Sequence, residues 1–337
     1  MSAVLIILIA LALAFDFLNG FHDSSNIVAT MISSRALAPR VALTMTAIAE
    51  FLGPFLFGVA VAKTIGDEVV AAEAINMAVL YAALMAAIIW NLFTWFFGIP
   101  SSSSHALIGG IVGAVGVHAG LGTIRLDGLE KILIALFTSP LIGLAAGWLL
   151  TKAIFALAAA ATPKINLFFK RFQILTGIAL ALSHGANDGQ KTMGIITLSL
   201  VTGGFLQSFA VPTWVIALSA GAIACGTAFG GWRLIRTLGA KFYRIRPVDG
   251  FAAQVSSAAV ILGAALLGGP VSTTQVVSSA IMGVGAAERV SKVRWGVAGS
   301  IATAWLLTIP ATAALGALLY LGLMAIAPVR QALLAAY

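Results

Sequence analysis

The sequence predicts an all-α polytopic membrane protein made of two inverted-topology repeats of about five membrane segments each, with broken or re-entrant helices meeting at the midplane. Three observations lead there. The first is composition: 61% of the 337 residues are hydrophobic and 9% are charged, whereas a soluble domain carries about 25% charged residues. Apolar stretches of about 20 residues recur along the chain, the length that crosses a bilayer as a helix. The ten-residue alternation of an outer-membrane barrel is not seen.

The second observation is internal repetition. "GFHDSSN" at 20–26 returns as "GANDGQK" at 185–191, and "GIPSSSSHALIGGIVG" at 98–113 returns as "GGPVSTTQVVSSAIMG" at 268–283. Between them Gly53 and Gly58 fall opposite Gly221 and Gly226. The offset grows slowly and in order, 165, then 168, then 170, as expected for one duplicated unit with small insertions.

The third is loop charge. Arg35 and Arg40 make the first loop basic, while its counterpart, Val201 to Pro212, is uncharged. Residues 59–75 hold Lys63 against Asp67, Glu68 and Glu73, but residues 232–250 hold Arg233, Arg236, Lys241, Arg244 and Arg246 against Asp249. Residues 118–131 balance, and residues 286–294 set Glu288 against Arg289, Lys292 and Arg294. Basic loops stay cytoplasmic, so equivalent loops lie on opposite sides, as in many secondary transporters. The basic linker with Lys152, Lys164, Lys170 and Arg171 then lies inside. The repeats are 1–162 and 163–337, each makes an odd number of crossings, most simply five, and both termini are extracellular or periplasmic. Residues 4–34, and likewise 75–118, fit either one broken span or a helix plus a re-entrant hairpin.

The other features are consistent with this plan. The apolar run Val4 to Leu18 has no basic residues before it and no small-residue cleavage site after it, so it reads as mature structure rather than a signal peptide. Cys225, the single cysteine, excludes an intramolecular disulfide and a Cys-rich metal site. The net charge of +8 belongs to cytoplasmic loops and implies no nucleic acid. The tryptophans at 90, 95, 214, 232, 295 and 305 read as interface belt or packing residues.

Seven of the eleven acidic residues lie in the loops named above; Asp16, Asp23, Glu50 and Asp188 lie in apolar segments. A charge at the bilayer centre costs about 2.5–3.5 kcal/mol on insertion scales, so such residues face a protein interior or a cavity and mark function. Asp23 and Asp188 are repeat equivalents; Asp16 fits either the outer interface or the cavity. Gly20, Gly185 and Gly189 weaken helical continuity, and His22, Asn26, Asn187 and Gln190 beside them can satisfy freed backbone groups, so helix breaks are expected at both Asp motifs.

Pro100 and Pro270 sit where a first helical turn starts. Ser101, Ser102, Ser103 and Ser104 follow the first, and Ser272, Thr273 and Thr274 the second. A helix N-terminus offers free N–H groups and a positive dipole end, and hydroxyls add neutral donors. Two inverted copies form a cradle for a small tetrahedral oxyanion. Asp23 and Asp188 beside an anion make sense only if a cation or protons share the site. Na⁺ would take carboxylate, amide and hydroxyl oxygens at Asp23, Asn26 and Asp188; the alternative is H⁺, with His22, His105 and His184 near the motifs. An ionised Asp accepts the proton of hydrogen phosphate but leaves sulfate unpaired.

With these residues in hand, the chain resembles the inorganic phosphate transporter (PiT) family. "FLNGFHDSSNIVAT", "SHGANDGQKTMGI", "GIPSSSSHALIGG" and "GGPVSTTQVVSSAIMG" carry the likeness over nearly the whole chain. The resemblance implies inverted repeats, a homodimer in membrane lipid, and phosphate symport with Na⁺ or H⁺. It also implies transport in some members of a neutral divalent metal–phosphate complex, and sulfate permeation in some bacterial relatives. It implies site roles for Asp23, Asn26, Asp188, Gln190, Ser101–Ser104 and Ser272–Thr274, and for Glu50 as the intramembrane glutamate. The chain departs from animal members in having no glutamate around Leu218 and no long central loop. Lys191, where the first half has Asn26, is similar to the bacterial pattern, where it could stand in for one cation. His22, Glu50 and Lys191 therefore join the coupling-ion candidates, and no enzymatic cofactor is implied. An anion channel would not need the carboxylates, and an enzyme would need a nucleophile with a positioned base.

Overall fold

The computed structural model describes residues 2–68, 74–231, 235 and 245–334. All regular structure among them is helical. The first half contributes α1 (Ala3–Ser33), α2 (Pro39–Phe57), the short α3 (Ala60–Lys63), α4 (Met77–Phe97), α5 (Ser103–His118) and α6 (Leu126–Leu157). The second half follows in the same order with α7 (Ile165–Thr202), α8 (Thr213–Phe229), α9 (Pro247–Leu266), α10 (Thr273–Glu288) and α11 (Trp295–Ala325), and ends in the short α12 (Ala327–Leu334). Seven of these, α1, α2, α4, α6, α7, α9 and α11, are long and apolar enough to cross a membrane. Of the loop charges used above, Glu73, Arg233, Arg236, Lys241 and Arg244, with Trp232, lie outside the described residues, as do the side chains of Asp67 and Glu68.

The helix breaks expected at the Asp motifs are not there. α1 runs unbroken for 31 residues through Asp23, and α7 for 38 residues through Asp188. Their glycines serve close approach instead. A Cβ on Gly20 would sit 2.0 Å from the Ile223 carbonyl oxygen of α8, and one on Gly185 would sit 2.1 Å from the Glu50 carbonyl oxygen of α2. Small residues let membrane helices approach backbone to backbone. α1 packs along α8 and α7 along α2, while α5 packs along α11 and α10 along α6, so each half is clasped by the other. One apolar core joins α4 and α5 to the early part of α1 and the late part of α7; a second joins α2, α9 and α10 to the complementary parts.

The interruptions lie in the two hairpins. Gly98 (φ 65°) and Gly268 (φ 71°) take the left-handed conformation that ends α4 and α9. An extended segment follows each, and the next helix starts three residues after the proline, at Ser103 and at Thr273. Pro100 and Pro270 thus lie outside the first turns they were expected to open. Ser102 and Ser272 are the N-caps, accepting from the amides of His105 at 3.2 Å and Gln275 at 3.4 Å. Trp305 of α11 donates its indole N–H to the Pro100 carbonyl at 3.0 Å, pinning the first tip in the protein interior. At its base, Asn76 Nδ2 lies 3.0 Å from His118 Nε2, and the Tyr320 hydroxyl lies 2.7 Å from His118 Nδ1. The second base is ionic: Asp249 pairs with Arg246 (3.1 Å) and Lys292 (3.2 Å), and Glu288 with both of these basic residues.

Candidate functional site

The hairpin tips meet α1 and α7 in a buried polar cluster. Asp23, Asn26, Ser103, Ser104, Asp188, Lys191, Thr273 and Thr274 are each at most 3% exposed. On the α1 side, Asp23 Oδ1 accepts from Asn26 Nδ2 at 2.9 Å and from the Thr274 hydroxyl at 2.8 Å, with His22 Nδ1 3.2 Å away. Asn26 Nδ2 also donates to Thr274 Oγ1 at 2.9 Å, while Asn26 Oδ1 and His22 Nε2 find no partner among the described residues.

On the α7 side the same positions recur with different chemistry. Lys191 Nζ donates to Asp188 Oδ1, to Ser104 Oγ at 2.5 Å and to the Val271 carbonyl at 3.2 Å. An ammonium has three N–H groups, so all its donors are engaged. Helical spacing explains the placement: residues three apart share a face, which sets Asn26 over Asp23 and Lys191 over Asp188. The partner hydroxyl comes each time from the second residue of the opposite half's hairpin helix.

Thr273 links the two sides. Its hydroxyl donates to Asp188 Oδ2 at 2.8 Å and lies 3.5 Å from Asp23 Oδ2, so one proton serves two carboxylates. His184 is the second link, with Nε2 3.2 Å from Asp188 Oδ2 and 3.7 Å from Asp23 Oδ2, and Nδ1 2.8 Å from Glu50 Oε1. Ligand atoms of Asp23, His184 and Asp188 all lie within 4.8 Å of one another, a spacing that could hold a metal ion. Ser103 donates to Asn19 Oδ1 at 2.6 Å. Asp16 accepts from Thr192 at 2.7 Å, with Oδ2 unpartnered among the described residues, and is buried rather than at an outer interface.

Several expected residues are turned elsewhere. Gln190 faces away: its amide nitrogen donates to the Gly58 carbonyl at 2.6 Å, and its oxygen accepts from the amides of Val61 at 2.8 Å and Ala62 at 3.2 Å. It ties α7 to the start of α3. Ser101 donates to Thr94 within its own hairpin at 2.8 Å. Ser102 and Ser272 are held as caps. The hydroxyls that reach the cluster are therefore those of Ser103, Ser104, Thr273 and Thr274. Asn19, not among the expected residues, belongs to the cluster, and so does the expected His184. The repeat offset of 165 that pairs Asp23 with Asp188 also pairs Asn19 with His184, and that register was the signal for both.

Buried side by side are thus four carboxylates (Asp16, Asp23, Glu50 and Asp188), one lysine and two histidines, His22 and His184. Buried carboxylates at this density call for cationic company. The donors facing them are hydroxyls at two helix starts, which suits a ligand pair of small anion and cation.

Residues 19–316 match the phosphate transporter family. The chain is 46% identical to a "Probable low-affinity inorganic phosphate transporter" of Rhizobium meliloti (strain 1021), covering 94% of this chain and 96% of that protein. It is also 46% identical to a protein of the same description from Bacillus subtilis (strain 168), with the same coverage. The fold is similar to a solved structure described as "The sodium-dependent phosphate transporter", with a TM-score of 0.88, 27% identity, and coverage of 96% of this chain and 100% of that one.

Proposed function

The chain belongs to the phosphate transporter family, and we propose that it imports inorganic phosphate by symport with Na⁺ through alternating access of two inverted repeats, residues 1–162 and 163–337. The relatives are transporters, not enzymes, and the chain is a multi-pass membrane protein. The observation that carries the reading is the Asp23–Asn26–Thr274 triad, whose amide oxygen is buried and unpartnered. With the amide turned over, a carboxylate, an amide and a hydroxyl oxygen face one point, a hard-oxygen set suited to Na⁺. The sodium dependence of the solved relative supports the same ion.

Order of binding follows from electrostatics. Before a cation arrives, Asp23 and Asp188 repel an oxyanion and hold the hydroxyls of Thr273 and Thr274. Na⁺ neutralises Asp23 on the α1 side and releases the Thr274 hydroxyl. Phosphate then meets donors from Ser103, Ser104, Thr273 and Thr274 and the N-termini of α5 and α10, and gives its own proton to a carboxylate as a hydrogen bond. Sulfate has no such proton, which favours phosphate. The two ligands then cross together, because neither binds well alone. Both termini lie outside in this scheme, and membrane lipid and a second copy of the chain complete the proposed surroundings.

One observation favours H⁺ as a second reading: His184 bridges Glu50, Asp188 and Asp23. Both readings meet the same experiment. Purified protein in proteoliposomes takes up labelled phosphate under an imposed Na⁺ gradient at equal pH, and separately under a pH gradient without Na⁺. Concentrative uptake in the first arm supports Na⁺, and uptake only in the second supports H⁺. Sulfate competing as well as phosphate overturns the substrate, and no gradient-driven uptake in either arm overturns symport.

A further inference from the structure

The two halves treat the same half-site differently. Each presents an aspartate, a residue three positions later, and the second hydroxyl of the opposite hairpin helix: Asp23, Asn26 and Thr274 on one side; Asp188, Lys191 and Ser104 on the other. Around Lys191 Nζ stand a carboxylate oxygen, a hydroxyl oxygen and the Val271 carbonyl. Carboxylate, hydroxyl and carbonyl oxygens are the ligand types that hard cations take. By the repeat, Asn26 occupies the position of Lys191, and its buried oxygen has no partner among the described residues. One half-site contains its positive charge; the other has oxygens and an unpartnered acceptor.

We propose that the Lys191 ammonium is a resident cation, occupying permanently in the second half-site the position that a mobile coupling cation takes in the first. Each phosphate therefore travels with one mobile cation fewer than the number of half-sites. The inference rests on the symport reading above and adds a stoichiometric role for one residue. Lys191 also has no free donor with which to act as a phosphate ligand, and at 0% exposed it cannot extend to water. The bland reading, a static ion pair that only neutralises Asp188, predicts a loss on removal but no change in the number of ions carried.

The test is the phosphate accumulation ratio at static head in proteoliposomes, with membrane potential clamped to zero and the Na⁺ gradient varied. The logarithm of that ratio rises against the logarithm of the gradient with a slope equal to the number of Na⁺ per phosphate. Lys191→Asn is expected to raise the slope by one, a further gain of about tenfold in accumulation at a tenfold gradient. Lys191→Arg keeps the wild-type slope. An accumulating Lys191→Asn protein with an unchanged slope overturns the inference and leaves symport standing; a wild type that does not accumulate counts against symport itself. Should Lys191→Asn not transport, Na⁺ titration of its thermal unfolding in detergent decides. Steeper Na⁺ dependence than wild type supports an added site, and equal or shallower dependence overturns it. If the wild type follows only a pH gradient, the same slopes are read against that gradient.

Discussion

Asp23 and Asp188 hold equivalent positions, yet their surroundings differ. Asp23 is met by neutral donors and imidazole nitrogens, from Asn26, Thr274, His22 and, at longer range, Thr273 and His184. Asp188 is met by a full charge, Lys191. The hairpin bases differ too: hydrogen-bonded through Asn76, His118 and Tyr320 at the first, ion-paired through Arg246, Asp249, Glu288 and Lys292 at the second. Equivalent places in the two motifs thus carry different chemistry: the second is charge-paired, where the first offers amide, hydroxyl and imidazole groups.

The sharpest way to break this comparison is to neutralise each aspartate. Asp188→Asn leaves a buried ammonium without its carboxylate, and breaking one partner of a buried pair costs about 3–5 kcal/mol. Asp23→Asn removes an acceptor that no lysine faces. Asp188→Asn is therefore expected to lower the unfolding temperature well below that of Asp23→Asn, while both abolish uptake. Thermal unfolding in detergent beside uptake reads this, and equal destabilisation would show that the charge pairing of the second half is unimportant.

Gly185→Ala comes next. The added Cβ would lie 2.1 Å from the Glu50 carbonyl oxygen, and overpacking costs about 1–3 kcal/mol. If the glycine instead served a helix break, alanine would stabilise α7 by up to about 1 kcal/mol. The sign of the unfolding shift separates the two.

Thr273→Val removes the hydroxyl shared by both carboxylates. A lost buried hydrogen bond costs about 1–3 kcal/mol, so phosphate uptake should fall by roughly 5- to 150-fold in kcat/KM, and Thr273→Ser should retain most of it. Equal activity in Val and Ser would remove Thr273 from the site.

Smallest in their effect on transport are the changes outside the cluster. Gln190→Ala leaves the Val61 and Ala62 amides without their acceptor, so stability should fall by about 1–3 kcal/mol with the phosphate KM unchanged. At the ionic base, Glu288→Gln should cost under about 1 kcal/mol, since partly exposed pairs are screened by solvent and salt; its effect should shrink in high salt. His118→Phe at the first base, where the contacts are hydrogen bonds to Asn76 and Tyr320, should show no such salt dependence.

Membrane class, the transporter family and the pairing of motifs were readable in the chain because they depend on composition and register, which sequence records directly. A carboxylate in an apolar run signals function wherever the helix goes, so Asp16, Asp23, Glu50 and Asp188 stood out. What glycine does in a helix depends on what lies across from it: Gly20 and Gly185 look like breaks until α8 and α2 are seen against them. Gln190 looks like a ligand beside Asp188, yet lying two positions further on turns it to a different face of α7. Ser102 and Ser272 look like anion donors until the helix starts are located by their caps. His184 is legible as the repeat partner of Asn19, but its reach to three carboxylates comes from α1 and α2 packing on either side. The sequence alone determined which residues are unusual for a membrane. Only the tertiary structure decided which of them meet, because hydrogen bonds between helices depend on rotation and distance that no single helix encodes.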